Sequence, residues 1–249
     1  MLHTRRHSGR SRTIGMQVGR EAIRMIQLAG ADEPRRVIAC AEWTGLDGED
    51  LMSACDVIQP MLQMGGFRGR HVTLSLPYVD LAVRSVNIAS GDRQTPAATV
   101  EAVRDTLDEK QANSCYWPLA VMQPTASDGR SSVVLVQVAR SCQEQWTQQL
   151  AARGALVACS LPRPLAAWQA LQAFLRRRSD LHRTHVLIDT AADVTGVLVA
   201  AGPEPYLLKC IDIGEHQMVA AAAEHLGLDR QSIRRLCRRM QCDHAARFV

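Results

Sequence analysis

Asp189 closes the apolar run Val186-Leu187-Ile188. An acid at the end of a strand in an α/β protein lies where ligands collect, outside the carboxyl ends of the strands. Such a residue also caps turns, and the pattern leaves both readings open. Gly15 and Gly19 bracket Met16-Gln17-Val18 in a second segment of the same kind, a strand running into a turn. Cys237, Cys242 and His244 are the one cluster of metal-ligand types. A structural zinc site takes four close ligands, and a helical Cys-x4-Cys supplies half of them, so no metal is expected. His182, His185, His216 and His225 lack the partnered nucleophile or spaced carboxylate that catalysis requires. No Gly-x-Ser-x-Gly elbow or Walker loop is present, so no residue is assigned a catalytic role.

Elements must position these residues. Ile14, Met16 and Val18 alternate with Gly15, Gln17 and Gly19, and the segment from Ala22 to Leu28 alternates again. That is a β-hairpin turning at Gly19-Arg20-Glu21, with a third strand near 37–43. A helix is expected over 48–63, ended by Gly65-Gly66. Strands follow at His71–Leu76, stopped by Pro77, and at 79–88. A helix over 95–108 has Pro96 in its first turn. Further strands are expected at 116–122 and 132–139. A helix over 142–153 closes on Gly154, a strand covers 155–160, and an amphipathic helix spans 164–178. Strands at 185–189, 195–200 and 206–213 and helices at 216–225 and 230–240 complete the chain. The order is βββαβ, βαββα, βα, βββαα, which argues α/β. The second strand triplet repeats the first in pattern, an internal duplication.

The chain has 249 residues and 27.4 kDa, ample for a packed core. Apolar residues make up 47% and charged residues 22%, which excludes wholesale disorder and a fibrous protein. No apolar run reaches the roughly 18–20 residues of a membrane-spanning helix, and the N-terminus lacks the apolar core of a secretory signal. An intracellular protein is expected. The net charge is +4, and Arg5, Arg6, Arg10 and Arg12 account for it. Beyond that basic tail, expected to be disordered over 1–12, 25 basic residues balance 25 acidic ones. A neutral body argues against nucleic acid as a partner. Eight scattered cysteines without a Cys-x-x-Cys pair read as small buried hydrophobes in a reducing compartment. Arg230, Arg234, Arg235, Arg238 and Arg239 form a basic face on the last helix. Such runs are usually solvated; the alternative is attraction to an anionic leaflet, at about 1 kcal/mol per basic residue.

The two strand-turn segments, Ile14–Arg24 and Val186–Thr195, resemble the phosphate hairpins of the actin-like ATPase superfamily. Leu74-Ser75-Leu76-Pro77 followed by Val83-Arg84, and Val133–Ala139 with Ser160–Ala166, add a narrower likeness. Together these segments resemble the PilM-like type IV pilus assembly proteins, and more distantly the FtsA-like cell-division proteins. The resemblance implies an actin-like (ribonuclease H-like) two-lobed α/β fold. Its first lobe would take 13–78 and 154–183, an inserted α/β subdomain 79–153, and an incomplete second lobe 184–249.

The resemblance also implies a degenerate nucleotide site, built from Gly15, Gln17, Gly19, Arg24, Asp189 and Thr195. The family's first hairpin carries an Asp serving Mg²⁺, and Gln17 stands at that position. Gln17 is neutral and a poor ligand for a hard cation. Arg20 replaces a small hydroxyl residue, and Ala191 replaces a glycine that admits phosphate. The Gly-rich adenosine segment lies beyond the chain given. No cofactor, or at most weak Mg·ATP binding, is therefore implied. The implied role is that of a scaffold on the cytoplasmic face of the inner membrane, peripheral to it, in a type IV pilus or type II secretion platform. Its partners would be the cytoplasmic tail of a PilN-like membrane protein and the pilus assembly ATPase. The tail would lie extended near Leu76, Val79, Leu81 and Val83. The competing expectations are an active ATPase or sugar-kinase-like enzyme, and a truncated fragment.

Overall fold

The computed structural model describes residues 13–19, 22–29, 36–44, 53–89, 101, 113–122, 130–175 and 177–245. The basic tail over 1–12 and nearly all of the helix expected over 95–108 lie outside them.

Strands β1 (Ile14–Val18), β2 (Ala22–Ala29) and β3 (Arg36–Thr44) form an antiparallel meander. The Gly19 N–H closes the first turn on the Ala22 carbonyl at 2.9 Å. Strands β4 (His71–Leu76) and β8 (Leu156–Pro162) then add in parallel, giving the order β3-β2-β1-β4-β8. Alternation aims Ile14, Met16, Val18, Ile23, Met25, Val72, Leu74 and Leu76 at one buried layer. Helix α1 (Ile58–Met64) covers that layer with Ile58 and Met61. Helix α2 (Arg140–Ala152) covers it with Trp146 and Leu150, and ends where Gly154 takes the left-handed conformation at φ 82°.

Gln27 is the exception in the alternating core set, fully buried where Ile23 and Met25 predict an apolar residue. Its side-chain amide donates to the Arg68 carbonyl at 2.7 Å and its oxygen accepts from the Arg68 N–H at 2.8 Å. The pair fixes the loop between α1 and β4. Gln27→Leu keeps the volume and removes both bonds. We expect a loss of about 1–2 kcal/mol in urea unfolding; an unchanged midpoint would contradict this role.

Strands β5 (Ala82–Ala89), β6 (Ser114–Met122) and β7 (Arg130–Ala139) form a second sheet in the order β5-β7-β6. Pro118 is tolerated because β6 is an edge strand with an irregularity at Pro118/Ala120. The strand expected to begin at Val79 instead starts at Ala82, because Tyr78–Asp80 form a 3-10 turn after Pro77. A third sheet, β11-β10-β9, comprises β9 (Thr184–Thr190), β10 (Thr195–Ala201) and β11 (Glu204–Ile211).

Helix α3 (Arg163–Gln172) is shorter than the expected 164–178. The Arg177 N–H is taken by the Asp180 carboxylate at 2.9 Å, which opens a separate 3-10 turn at Arg178–His182. Trp168 of α3, Val134 and Val136 of β7, and Leu198, Ala200 and Leu208 of the third sheet share one core cluster. The second and third sheets therefore meet around α3, which itself follows directly on β8 of the first. Helices α4 (Glu215–Leu226) and α5 (Arg230–Ala245) pack on each other through Val219, Ala223 and Ile233. Among the described residues, no helix is long and apolar enough to cross a membrane. The cysteines depart from expectation. Only Cys55 of the described ones is buried, whereas Cys40, Cys159 and Cys237 are exposed, because they fall on outward-facing positions of β3, β8 and α5.

Candidate functional site

Strands β1, β4 and β8 run parallel, so their carboxyl ends share one edge of the first sheet. Gln17 and Gly19 lie at the end of β1, Tyr78 just past β4, and Arg163 just past β8. This is where parallel sheets hold their ligands. The third sheet brings Asp189, at the end of β9, to the same edge.

What meets Asp189 there is protein. The Arg163 guanidinium donates from Nε to Oδ2 and from Nη2 to Oδ1, both at 2.7 Å. This two-pronged geometry is the strong form of the arginine–carboxylate pair. The Tyr78 hydroxyl donates to Oδ2 at 3.0 Å, and the guanidinium stacks 5.4 Å from the Tyr78 ring centre. Both charged side chains are largely buried, 15% and 19% exposed. Burial first, then the Asp189 carboxylate and the bond to it, push the Tyr78 hydroxyl far above its ordinary pKa. It stays protonated and remains a donor. Gly196, on β10 opposite Asp189, makes room for this ring: a Cβ there would overlap the Tyr78 hydroxyl oxygen and lie 2.6 Å from Cζ.

The other residues of the expected nucleotide site are dispersed or engaged. The Arg24 Nε donates to Glu42 at 2.7 Å on the open face of the first sheet. Gly15 faces Ile26 within the hairpin. The Thr195 hydroxyl is buried and donates to the Ile213 carbonyl at 2.6 Å. In the second hairpin the Ala191 N–H closes the turn on the Val194 carbonyl at 2.8 Å. The Ala191 and Ala192 carbonyls accept the Glu215 and His216 N–H groups at 2.8 and 2.9 Å. Asp193 pairs with His216 Nδ1 at 3.0 Å. The turn is thus spent on seating α4. Among the described residues no group of three or more His, Cys, Asp and Glu could hold a metal ion.

Of the four residues expected to line a peptide groove, Leu76 is fully buried in the first core. Leu81 and Val83 are half-buried against the shared cluster. Val79 is 49% exposed and offers apolar surface. Tyr78 and Gly196 carried no expected role, and Arg163 figured only inside a longer likeness. One signal could have found Tyr78 and Arg163: they stand two residues and one residue past the ends of parallel strands, a strand-end placement like the one that made Asp189 stand out.

Behind Tyr78, Asp80 accepts from Trp146 Nε1 at 2.8 Å. Burial, then the Asp80 carboxylate and its hydrogen bond, push the Cys142 thiol from 9.0 up to about 12. The raised value favours the protonated thiol in the fold. This stabilisation is complete below pH 9.0 and is lost as pH rises from there towards about 12, since the unfolded thiol ionises first. Cys142 should therefore react with iodoacetamide at pH 9 far more slowly in the native protein than in urea. Peptide mass mapping reads the difference, and equal rates would contradict the assignment.

No family model matches the chain, and no curated protein does. Among solved structures it is similar to a PilM-PilN type IV pilus biogenesis complex. The identity is 18%, over 92% of this chain and 70% of that one, with a TM-score of 0.72. It also matches the cytoplasmic domain of EpsL, an inner-membrane component of the Vibrio cholerae type II secretion system. That match has 19% identity over 81% and 71% of the two chains, with a TM-score of 0.47. The ethanolamine utilization protein EutJ of Carboxydothermus hydrogenoformans matches at 12% identity over 91% and 61%, with a TM-score of 0.49. The first of these likenesses identifies the fold as PilM-like, an actin-like α/β fold.

Proposed function

We propose that this chain is a cytoplasmic adaptor of a type IV pilus or type II secretion inner-membrane platform. In this reading it binds the cytoplasmic tail of a PilN-like membrane protein and does not hydrolyse ATP. The observation that carries the second half is the capture of Asp189 by Arg163 and Tyr78. Phosphoryl transfer depends on positioning and on a metal that neutralises developing charge. A carboxylate already neutralised by a guanidinium is a poor metal partner, and Gln17 supplies no second acid. The Mg·ATP site of a working enzyme is thereby replaced by an internal tie between the lobes.

The first half is supported by the likeness to a PilM-PilN complex and by the surface around Val79. Strand β5 is the outer strand of its sheet, and its edge begins beside Val79. An extended tail could add there through backbone bonds and set an apolar side chain against Val79, above Leu81 and Val83. The test is a fluorescence-anisotropy titration with a labelled cytoplasmic-tail peptide of a PilN-like protein from the same genome. Saturable binding is expected, weakened at least about tenfold, or 1.4 kcal/mol, by Val79→Asp. Absence of binding, or binding indifferent to Val79→Asp, would count against this surface.

A further inference from the structure

The 3-10 turn Tyr78–Asp80 carries the chain from β4 of the first sheet to β5 of the second. Its backbone holds it by two bonds. The Asp80 N–H donates to the Pro77 carbonyl at 3.3 Å, and the Leu81 N–H to the Tyr78 carbonyl at 3.0 Å. A single 3-10 turn has poor hydrogen-bond geometry, so side chains must fix it.

They do so on both sides of Val79. Tyr78 is buried, donates to Asp189 and lies under the Arg163 guanidinium. Asp80 is held by a different element: Trp146 Nε1 of α2 donates to its Oδ2 at 2.8 Å. Trp146 is itself locked in the first core, beside Leu150. One end of the turn is therefore tied to β9 and the other to α2. Val79, between them, is the exposed residue of the three. Among the described residues, neither its N–H nor its carbonyl takes part in a hydrogen bond. Side chain and backbone are both open to an incoming segment.

We propose that Asp80 and Trp146 are positioning residues for the partner's tail. Their bond holds Val79 and the start of the β5 edge in the orientation that the tail meets. The inference rests on the adaptor reading above and adds residues that do not touch the partner through their bonded groups. The physical reason is preorganisation. A contact residue already ordered in the free protein spares the complex the cost of ordering it. Without the Trp146 bond the turn keeps only its Tyr78 anchor, and Val79 must be ordered anew by each tail that binds.

The test is the anisotropy titration with the labelled tail peptide, repeated on four variants of the intact chain. Trp146→Phe removes the donor and keeps an aromatic ring in the core. Asp80→Ala removes the acceptor. Each should weaken binding about fivefold. Asp80→Asn retains an acceptor oxygen and should bind like wild type. Gln27→Leu, which loses two buried bonds away from the turn, should also bind like wild type, so a mere fall in stability is separated from loss of position. Wild-type affinity in both Trp146→Phe and Asp80→Ala, with Val79→Asp still weakened, would overturn the positioning role and leave the adaptor reading standing. Asp80→Asn as weak as Asp80→Ala, or Gln27→Leu as weak as Trp146→Phe, would overturn it too. A wild-type chain that does not bind the tail would remove the adaptor reading and this role together.

Discussion

Asp189→Ala is expected to lower the stability of this chain by about 3 kcal/mol, a fall in Tm of about 6–12 °C at this size. The substitution strands Arg163, whose side chain is only 15% exposed, and leaves the buried Tyr78 hydroxyl without its acceptor. Removing one member of a buried pair costs more than the pair is worth, because the remaining charge stays desolvated. A double-mutant cycle separates this from a general loss of packing. Once Arg163→Ala has been made, Asp189→Ala should cost much less, with a coupling of at least about 1.5 kcal/mol. Additive losses would mean that the two side chains do not hold each other. The same tie joins the carboxyl edge of the first sheet to the end of β9.

Gly196→Ala is the second large effect. The added methyl would sit on the Tyr78 hydroxyl and within 2.6 Å of Cζ and 2.8 Å of Cε1. Tyr78 is 6% exposed and bonded to Asp189, so the ring cannot retreat without giving up that bond. Overpacking and the lost charged hydrogen bond together are expected to cost about 3–5 kcal/mol. The sign should reverse once the ring is gone. In a Tyr78→Ala background, Gly196→Ala fills empty space in a strand and should be neutral or stabilising by about 0.5–1 kcal/mol. Thermal unfolding of the two single variants and the double variant decides it. A Gly196→Ala protein as stable as wild type would show that the ring does not occupy this place.

Local pattern made much of this fold legible. The alternation of Ile14, Met16 and Val18 against Ile23 and Met25 sets hairpin and core face together, because a period of two admits one buried face. The repeated strand triplet foretold the third sheet. The tie itself was not legible. Asp189 meets Arg163 across 26 residues and Tyr78 across 111, and no local periodicity encodes a contact between two sheets. Asp189 was singled out as a strand-end acid, but its partners follow from topology, which places the ends of β4 and β8 beside it. Thr195 illustrates the reverse case. Its position in the hairpin suggested a ligand, whereas its hydroxyl is consumed by the Ile213 carbonyl. The short α3 escaped the pattern because helical spacing continues through Leu171 and Leu175. The Asp180 carboxylate that diverts the chain at Arg177 lies beyond that window.

Phosphate release from Mg·ATP over hours, for the wild-type chain beside Asp189→Asn, tests the central claim most directly. The account predicts no release above the protein-free control for either protein, since the carboxylate that would serve a metal is bound to Arg163. Turnover at about 1 s⁻¹ or above, the ordinary range of enzymes, that disappears in Asp189→Asn would contradict it and make this chain an ATPase.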